Sequence, residues 1–329
     1  ALAKLGAGTL VLGGANSYSG ATQVNAGTLR LGSAGALSPN TTLNVAAGAS
    51  FDANGFQQTF TGLTGGGTVD TGSAGMTIQT SSESSTPNVF EGALAGSGPL
   101  TVEGTGTLVI ASNNNSYTGE TLVTGGTLVV TGDISSSTQT TVTGNGVLAG
   151  TGTVGSVTIG GGGWLSPGSS PGTLAVNGNA TMDVGGNYAW EINDAEGVTG
   201  ANWDFVSVSG TLTITATVEN PFTISIASLT PLDESGELFN FSADQNYSYT
   251  IASAGGGIFG FNASVFTINT AGFLNDLAGG VWSIAQSGND LNLVFTASAI
   301  PEPATYAILF GTLALFLAVR HRRRQKTKV

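Results

Sequence analysis

Gly6-Ala-Gly-Thr-Leu-Val-Leu-Gly-Gly-Ala-Asn-Ser-Tyr-Ser-Gly20, followed by Gly27-Thr-Leu-Arg-Leu31, is the stretch on which the fold turns. It returns almost unchanged as Gly104-Thr-Gly-Thr-Leu-Val-Ile110, Asn115-Ser-Tyr-Thr-Gly119 and Gly126-Thr-Leu-Val-Val130. The offset is 98 residues before the Asn-rich turn and 99 after it, one residue having entered at Asn113 to Asn115. Loops accept such insertions at least cost. Within each copy Leu10 and Leu12 alternate with Thr9 and Val11, and Leu29 and Leu31 with Thr28 and Arg30. A period of two marks a strand with one buried face. Arg30 aligns with Val129, which places that parity toward solvent. The Asn-Ser-Tyr-Ser/Thr-Gly segments read as turns, because Asn bonds its own backbone and Gly tolerates positive φ.

Further short strands are expected at Thr42 to Val45, Thr140 to Val142, Gly152 to Ile159, Thr173 to Val176, Val206 to Ser209 and Thr211 to Val218. Strands this short between Gly and Asn turns can build a sandwich, a barrel or the coils of a β-solenoid. Three features favour the solenoid. Gly-Thr-Leu recurs at Gly8, Gly27, Gly106, Gly126, Gly172 and Gly210. Little before residue 300 has a helical pattern. The glycine runs Gly65 to Gly67 and Gly160 to Gly163 suit tight corners between flat faces.

Composition agrees with turn-rich β structure. The 329 residues include 52 Gly and no Cys, which excludes disulfides and thiol chemistry. Six of the eight Lys and Arg lie in the last ten residues, leaving Lys4 and Arg30 against nineteen acidic residues in positions 1–299. Such a surface repels phosphate backbones, so nucleic acid is not an expected partner. Ala1 opens almost directly into a repeat, which reads as a fragment or a processed chain.

Gly6 to Gly20 and its copy, Gly104 to Val130, resemble the autotransporter-associated β-strand repeat family. Leu148-Ala-Gly-Thr-Gly-Thr-Val154 and Leu165-Ser-Pro-Gly-Ser-Ser-Pro-Gly-Thr-Leu174 resemble the coils that follow such repeats in passenger domains. The resemblance covers roughly residues 6 to 215. It implies a secreted, right-handed parallel β-helix. A different tail stands where an autotransporter would have its outer-membrane barrel, so self-translocation is not implied.

That tail begins with Pro301-Glu302-Pro303, whose prolines hold it extended and without backbone donors. The apolar run Ala304-Thr-Tyr-Ala-Ile-Leu-Phe-Gly-Thr-Leu-Ala-Leu-Phe-Leu-Ala-Val319 follows, a little short of the ~20 residues a bilayer asks for. Arg320, Arg322, Arg323 and Arg324 come next and are expected to stop transfer and stay in the cytoplasm. The three parts in this order resemble the PEP-CTERM sorting domain. The resemblance implies an exosortase-type partner in a bacterial inner membrane, cleavage near the motif, and delivery to the cell surface or extracellular matrix.

Candidate chemistry in the body is sparse. The sole histidine, His321, lies in the basic tail, which rules out a His-based triad or metal site in positions 1–299. Asp233-Glu234 is the one adjacent acidic pair to weigh for glycoside chemistry. Glu191, Asp194, Glu196 and Asp204, with Asn193 and Asn202, offer oxygens of the kind Ca²⁺ takes, at a spacing that matches neither an EF-hand nor the nonapeptide Ca²⁺ roll and is more simply a solvated loop. Thr211, Thr213, Thr215 and Thr217 alternate along one expected strand, the pattern an ice-binding face would need over several coils. Tyr18, Tyr117, Trp164, Tyr188, Trp190 and Trp203 are candidate exposed aromatics for sugar stacking.

The expected fold is therefore all-β: a right-handed parallel β-helix followed by one C-terminal transmembrane α-helix. The β-helix with repeats at 6–31 and 104–130 occupies 1–228, terminal coils and a Phe-rich cap 229–299, and the sorting signal 300–329. The expected function is non-enzymatic, structural or adhesive, with no cofactor or resident metal, and with extracellular polysaccharide as a ligand class. The alternatives are a polysaccharide-active enzyme and a Ca²⁺- or ice-binding β-helix on the same scaffold.

Overall fold

The computed structural model describes residues 1–83 and 88–298; the expected transmembrane helix and the Pro301-Glu302-Pro303 motif lie outside them. The chain winds as a parallel β-solenoid with three faces. Among the described residues the one helical element is the 3₁₀ turn Ala263–Val265, and no helix is long and apolar enough to cross a membrane.

The first face starts with Leu2–Lys4, Thr22–Val24, Thr42–Val45 and Gly62–Thr64, a four-stranded sheet. A parallel bridge from Gly65 to Phe90 carries it into an eight-stranded sheet. That sheet runs from Asn88–Phe90 through Thr107–Ile110, Thr127–Val130, Val147–Gly150, Trp164–Pro167, Asn187–Ile192 and Phe222–Ser228 to Phe266–Gly272. The second face begins with five strands from Thr9–Leu12 to Ala93–Ala95 and resumes at Asp133–Ile134. The third is one nine-stranded sheet from Gln58–Phe60 to Ile258–Phe259. Leu2 pairs with Thr22, Thr22 with Leu43 and Thr42 with Gly62, so early coils are about 20 residues long, within the usual length of a repeat unit.

The core is a set of apolar columns. Leu10, Leu29, Phe51, Val69 and Leu94 stack in register inside the second face. Leu108, Leu128, Leu148, Leu165 and Tyr188 stack inside the first, all of them buried. Each such side chain contributes about 1.5–3 kcal/mol by leaving water. A single coil cannot shield its own inner face, so this stabilisation exists only between neighbours.

Two strand expectations are corrected. Gly152 to Ile159 is not one strand: Thr153–Val154 lies on the second face and Val157–Ile159 on the third, with Gly155 at the corner between them. A Cβ at Gly155 would stand 2.3 Å from the Ser137 carbonyl oxygen, which is why the chain turns on a glycine there. Thr211 to Val218 shortens to Leu212–Ile214. Beyond it Thr215 Oγ1 donates to Asp183 Oδ1 at 2.7 Å, and Thr217 Oγ1 accepts from the Asn220 amide at 3.1 Å, closing a turn.

At the C-terminal end the parallel order breaks. Asp290–Thr296 pairs antiparallel with Tyr247–Ala254, and Val281–Ser287 antiparallel with Asp290–Thr296. These strands lay Leu291, Leu293 and Phe295 over the core, all buried. Trp190, Trp203, Tyr249, Trp282 and Phe295 form a connected aromatic cluster there, with ring centroids 5.1–6.4 Å apart. Such a hairpin shields an otherwise open solenoid end.

Candidate functional sites

The two sequence repeats do not occupy equivalent faces. In the first, Leu2–Lys4 lies on face one, Thr9–Leu12 on face two, and the Asn16 turn continues toward face three. In the second, Leu100–Gly104 lies on face three, Thr107–Ile110 on face one, and the Asn115 turn fills the gap in face two. The same unit is thus set one face apart on the prism.

Asn115 does more than make a turn. Its Oδ1 accepts from the Leu94 amide at 2.8 Å, and its Nδ2 donates to the Asp133 carbonyl at 2.9 Å and the Ser112 carbonyl at 2.7 Å. The side-chain amide therefore carries the hydrogen-bond ladder across the one face on which this coil forms no strand. Asn16 Nδ2 makes the matching bonds to the Gly14 and Ala36 carbonyls, at 2.9 and 2.6 Å.

The repeat tyrosine anchors a polar cluster. Tyr117 Oη bonds Thr121 Oγ1, Thr121 bonds Ser137 Oγ at 2.9 Å, and Ser137 donates to the Gly119 carbonyl at 2.8 Å. Tyr18, Thr22, Thr41 and the Gly20 carbonyl repeat that chain at 3.0, 2.9 and 2.8 Å. Burial raises the Tyr117 pKa, so it acts as a neutral hydroxyl. Its part is structural.

The exposed-aromatic expectation is corrected for most of its members. Tyr117, Tyr188 and Trp190 are fully buried, and Trp203 nearly so. Strand alternation sends Tyr188 and Trp190 inward between Asn187, Ala189 and Glu191. Tyr188 Oη donates to the Ile251 carbonyl, Trp190 Nε1 to the Asp204 carbonyl and Trp203 Nε1 to the Thr250 carbonyl. Tyr18 is half-buried, and Trp164 stands half-exposed on the outer side of face one.

The acidic candidates separate. Asp204 is buried and accepts from the Gly172 amide at 2.9 Å and the Glu191 amide at 3.0 Å. Burial pushes its pKa up to about 8, against those two donors, which pull it down. Glu191 accepts from Ser170 Oγ at 2.6 Å. Asp194 and Asp233 serve loop geometry: Asp194 Oδ1 accepts from the Glu196 amide and Asn240 Nδ2, and Asp233 Oδ1 accepts from Asn193 Nδ2. Asn202 Nδ2 donates to Asn193 Oδ1. Among the described residues no group of three or more His, Cys, Asp or Glu converges as a metal site.

The two cations of the body are both engaged. Lys4 Nζ donates to the carbonyls of Leu5, Gly6 and Ala26 at 3.3, 2.6 and 2.8 Å. Arg30 Nε lies 3.2 Å from Asp52 Oδ2, and its Nη2 donates to Asn54 at 2.6 Å.

One column escaped the sequence reading. On face three Thr59, Thr77, Thr101, Leu122, Thr141, Thr158, Thr181 and Thr213 are register partners, strand on strand. All are half-buried on the outer side. The available signal was the recurrent triplet of apolar, Thr, apolar, as in Met76-Thr-Ile78 and Val157-Thr-Ile159.

The winding and the repeat geometry define a parallel β-solenoid built on a duplicated strand–turn–strand unit. Residues 2–31 and 100–130 match the family described as Passenger-associated-transport-repeat. The chain is also similar to the "Adhesin BmaC autotransporter" of Brucella suis biovar 1 (strain 1330), 36% identical over 128 residues. That alignment covers 38% of this chain and 4% of the adhesin, so the chain spans a small fraction of that protein's length.

Proposed function

We propose that this protein is an exported, non-enzymatic β-helix of the bacterial cell surface or extracellular matrix, with an adhesive or structural role. The observation that carries the reading is a pair of passenger-type repeats built into a continuous parallel solenoid. Similarity to a stretch of an autotransporter adhesin supports the adhesive side. Delivery is through a PEP-CTERM signal: Pro301, Glu302 and Pro303 are offered to an exosortase-type enzyme while residues 304–319 hold the inner membrane. Arg320, Arg322, Arg323 and Arg324 keep the tail cytoplasmic. The winding is right-handed, the hand that parallel crossovers adopt. A catalytic role is disfavoured by what the carboxylates do, since Asp233 and Asp194 hold loops and Asp204 is sealed from solvent.

The test is the location and mass of a tagged protein in its host, with and without Pro301-Glu302-Pro303. Surface or matrix material lacking about the last 25 residues, the length of a span plus its flank, is the expected result for the intact motif. Full-length protein held in the inner membrane whether or not the motif is present would sink the sorting claim.

The threonine column favours one second reading, an ice-binding face. Leu122 interrupts it, and two of its hydroxyls are already engaged: Thr141 donates to Glu120 and Thr158 accepts from Gln139. Thermal hysteresis in the purified protein, lost in Thr158→Lys, would establish that reading; its absence removes it.

A further inference from the structure

We infer that the outer side of face one around Trp164 is a binding site for a neutral polysaccharide. The inference rests on the adhesive reading and names its ligand class.

Charge narrows the class first. Lys4 is buried and spends its ammonium on three carbonyls, and Arg30 is tied to Asp52 and Asn54. Among the described residues there is no other Lys or Arg, while nineteen acidic side chains lie in positions 1–299. An acidic polymer therefore meets repulsion and no free counter-charge. A neutral one meets neither.

The charges are also unevenly placed. Four consecutive strands of face one, Thr107–Ile110, Thr127–Val130, Val147–Gly150 and Trp164–Pro167, carry no ionisable side chain. Face three has Glu103 within its strands, and Glu120 and Asp183 beside them. Face two has Asp52, Asp70 and Asp133. On face one the next charge is Glu191, four residues beyond Asn187 in the strand that follows Trp164–Pro167. Face one thus presents a flat, uncharged strip on a strongly anionic body.

Trp164 sits in that strip with no structural employment. The other three tryptophans, Trp190, Trp203 and Trp282, belong to the aromatic cluster at the C-terminal end. Among the described residues Trp164 makes no aromatic pair and its Nε1 has no protein acceptor. Its register neighbours form a column: Thr127, Val147, Trp164, Asn187 and Thr223. Adjacent strands lie about 4.8 Å apart, so Asn187 and Thr223 are about 5 and 10 Å along the axis from the indole. Asn187 Nδ2 is held by the Gly163 and Gly185 carbonyls, which leaves its Oδ1 to accept.

This is the complement of a sugar chain. The C–H face of a pyranose stacks on the indole, Nε1 donates to a ring or hydroxyl oxygen, and Asn187 and Thr223 meet hydroxyls of the following units. The surface is flat rather than grooved, so one site binds weakly. Many copies along one polymer bind by avidity, which suits a matrix.

The test is affinity electrophoresis of the purified protein through native gels cast with neutral polysaccharides (hydroxyethyl cellulose, glucomannan, xyloglucan) or acidic ones (alginate, polygalacturonate). The expected result is retardation by at least one neutral polymer and by neither acidic one. Trp164→Ala should abolish it and Trp164→Phe should keep most of it, both with unchanged melting temperature. Asn187→Ala should weaken it severalfold while lowering the melting temperature slightly, because two carbonyls lose their donor. No retardation by any neutral polymer, or full retardation of a folded Trp164→Ala, overturns the site. So does a Trp164-dependent dimer in sedimentation without polysaccharide, which would make the strip a self-association face. Attachment of cells displaying the protein separates the two levels. Failure of the wild type to attach contradicts the adhesive reading, whereas undiminished attachment by Trp164→Ala contradicts only this site.

Discussion

Residues 6–20 and 104–119 are nearly the same sequence, yet they live in different surroundings. Leu10 and Tyr18 are half-buried in the outermost described coil; their counterparts Leu108 and Tyr117 are fully buried between coils. A Cβ added at Gly8 would meet nothing within 4 Å, whereas at Gly106 it would stand 2.4 Å from the Ser81 carbonyl oxygen. Gly6 and Gly104 differ in the same way, the latter lying 2.0 Å from the Thr80 carbonyl oxygen by the same measure. The local pattern specifies strand, turn and inward face. What a residue is worth depends on whether another coil covers it.

The largest separation is expected from the core leucines. In a chain of residues 1–329 alone, Leu108→Ala should cost about 3 kcal/mol by denaturant unfolding, and Leu10→Ala about 1 kcal/mol, because only the first leaves a cavity enclosed by coils on both sides. Equal costs would break the comparison. Gly106→Ala should follow at about 2–3 kcal/mol, since the clash is with backbone that cannot step aside. Gly8→Ala should change the melting temperature little, or raise it slightly. Asn115→Ala removes the amide that joins Leu94 to Asp133 and should cost about 2 kcal/mol. Asn16→Ala, with bonds to two carbonyls and no ladder to bridge, should cost about 1 kcal/mol.

A pH effect sharpens the contrast with the C-terminal region, where polar groups are buried without a repeat to explain them. Asp204 has a folded-state pKa of about 8 against an unfolded value near 3.8. The folded state thus binds the proton more tightly. Its favourable contribution is complete below about pH 4 and is lost as pH rises through about 8. Melting temperature should fall across that window, and Asp204→Asn should flatten the slope. A slope unchanged in Asp204→Asn would assign the pH dependence to other groups.

Much of the solenoid was legible because its signals are local. Thr42–Val45, Thr140–Val142 and Thr173–Val176 stand where the alternation put them. The glycine corners at Gly65 and at Gly161 and Gly162 carry the positive φ expected of them. What escaped depends on coil-to-coil registry. Whether Gly152 to Ile159 runs straight or turns a corner is decided by the coil beneath, where the Ser137 carbonyl admits only a glycine at 155. Asn115 read as turn chemistry because its partners, Leu94 and Asp133, are remote in sequence. The threonine column was invisible in any single strand, and its one visible piece, Thr211 to Thr217, ends in a turn. Of the six candidate aromatics, Tyr18 and Tyr117 recur at equivalent turn positions, which points to packing as strongly as to a ligand, and strand parity and the terminal hairpin separate Trp164 from Tyr188, Trp190 and Trp203.

Hydrogen exchange of the purified protein, resolved to the strands Thr9–Leu12 and Thr107–Ile110, tests the central claim most directly. If protection comes from stacked coils, then in a chain of residues 1–329 alone the amides of Thr107–Ile110 exchange at least a hundredfold more slowly than those of Thr9–Leu12, about 3 kcal/mol in opening free energy. Equal protection of the two strands would contradict the account, because it would mean that the repeat carries its stability within its own sequence.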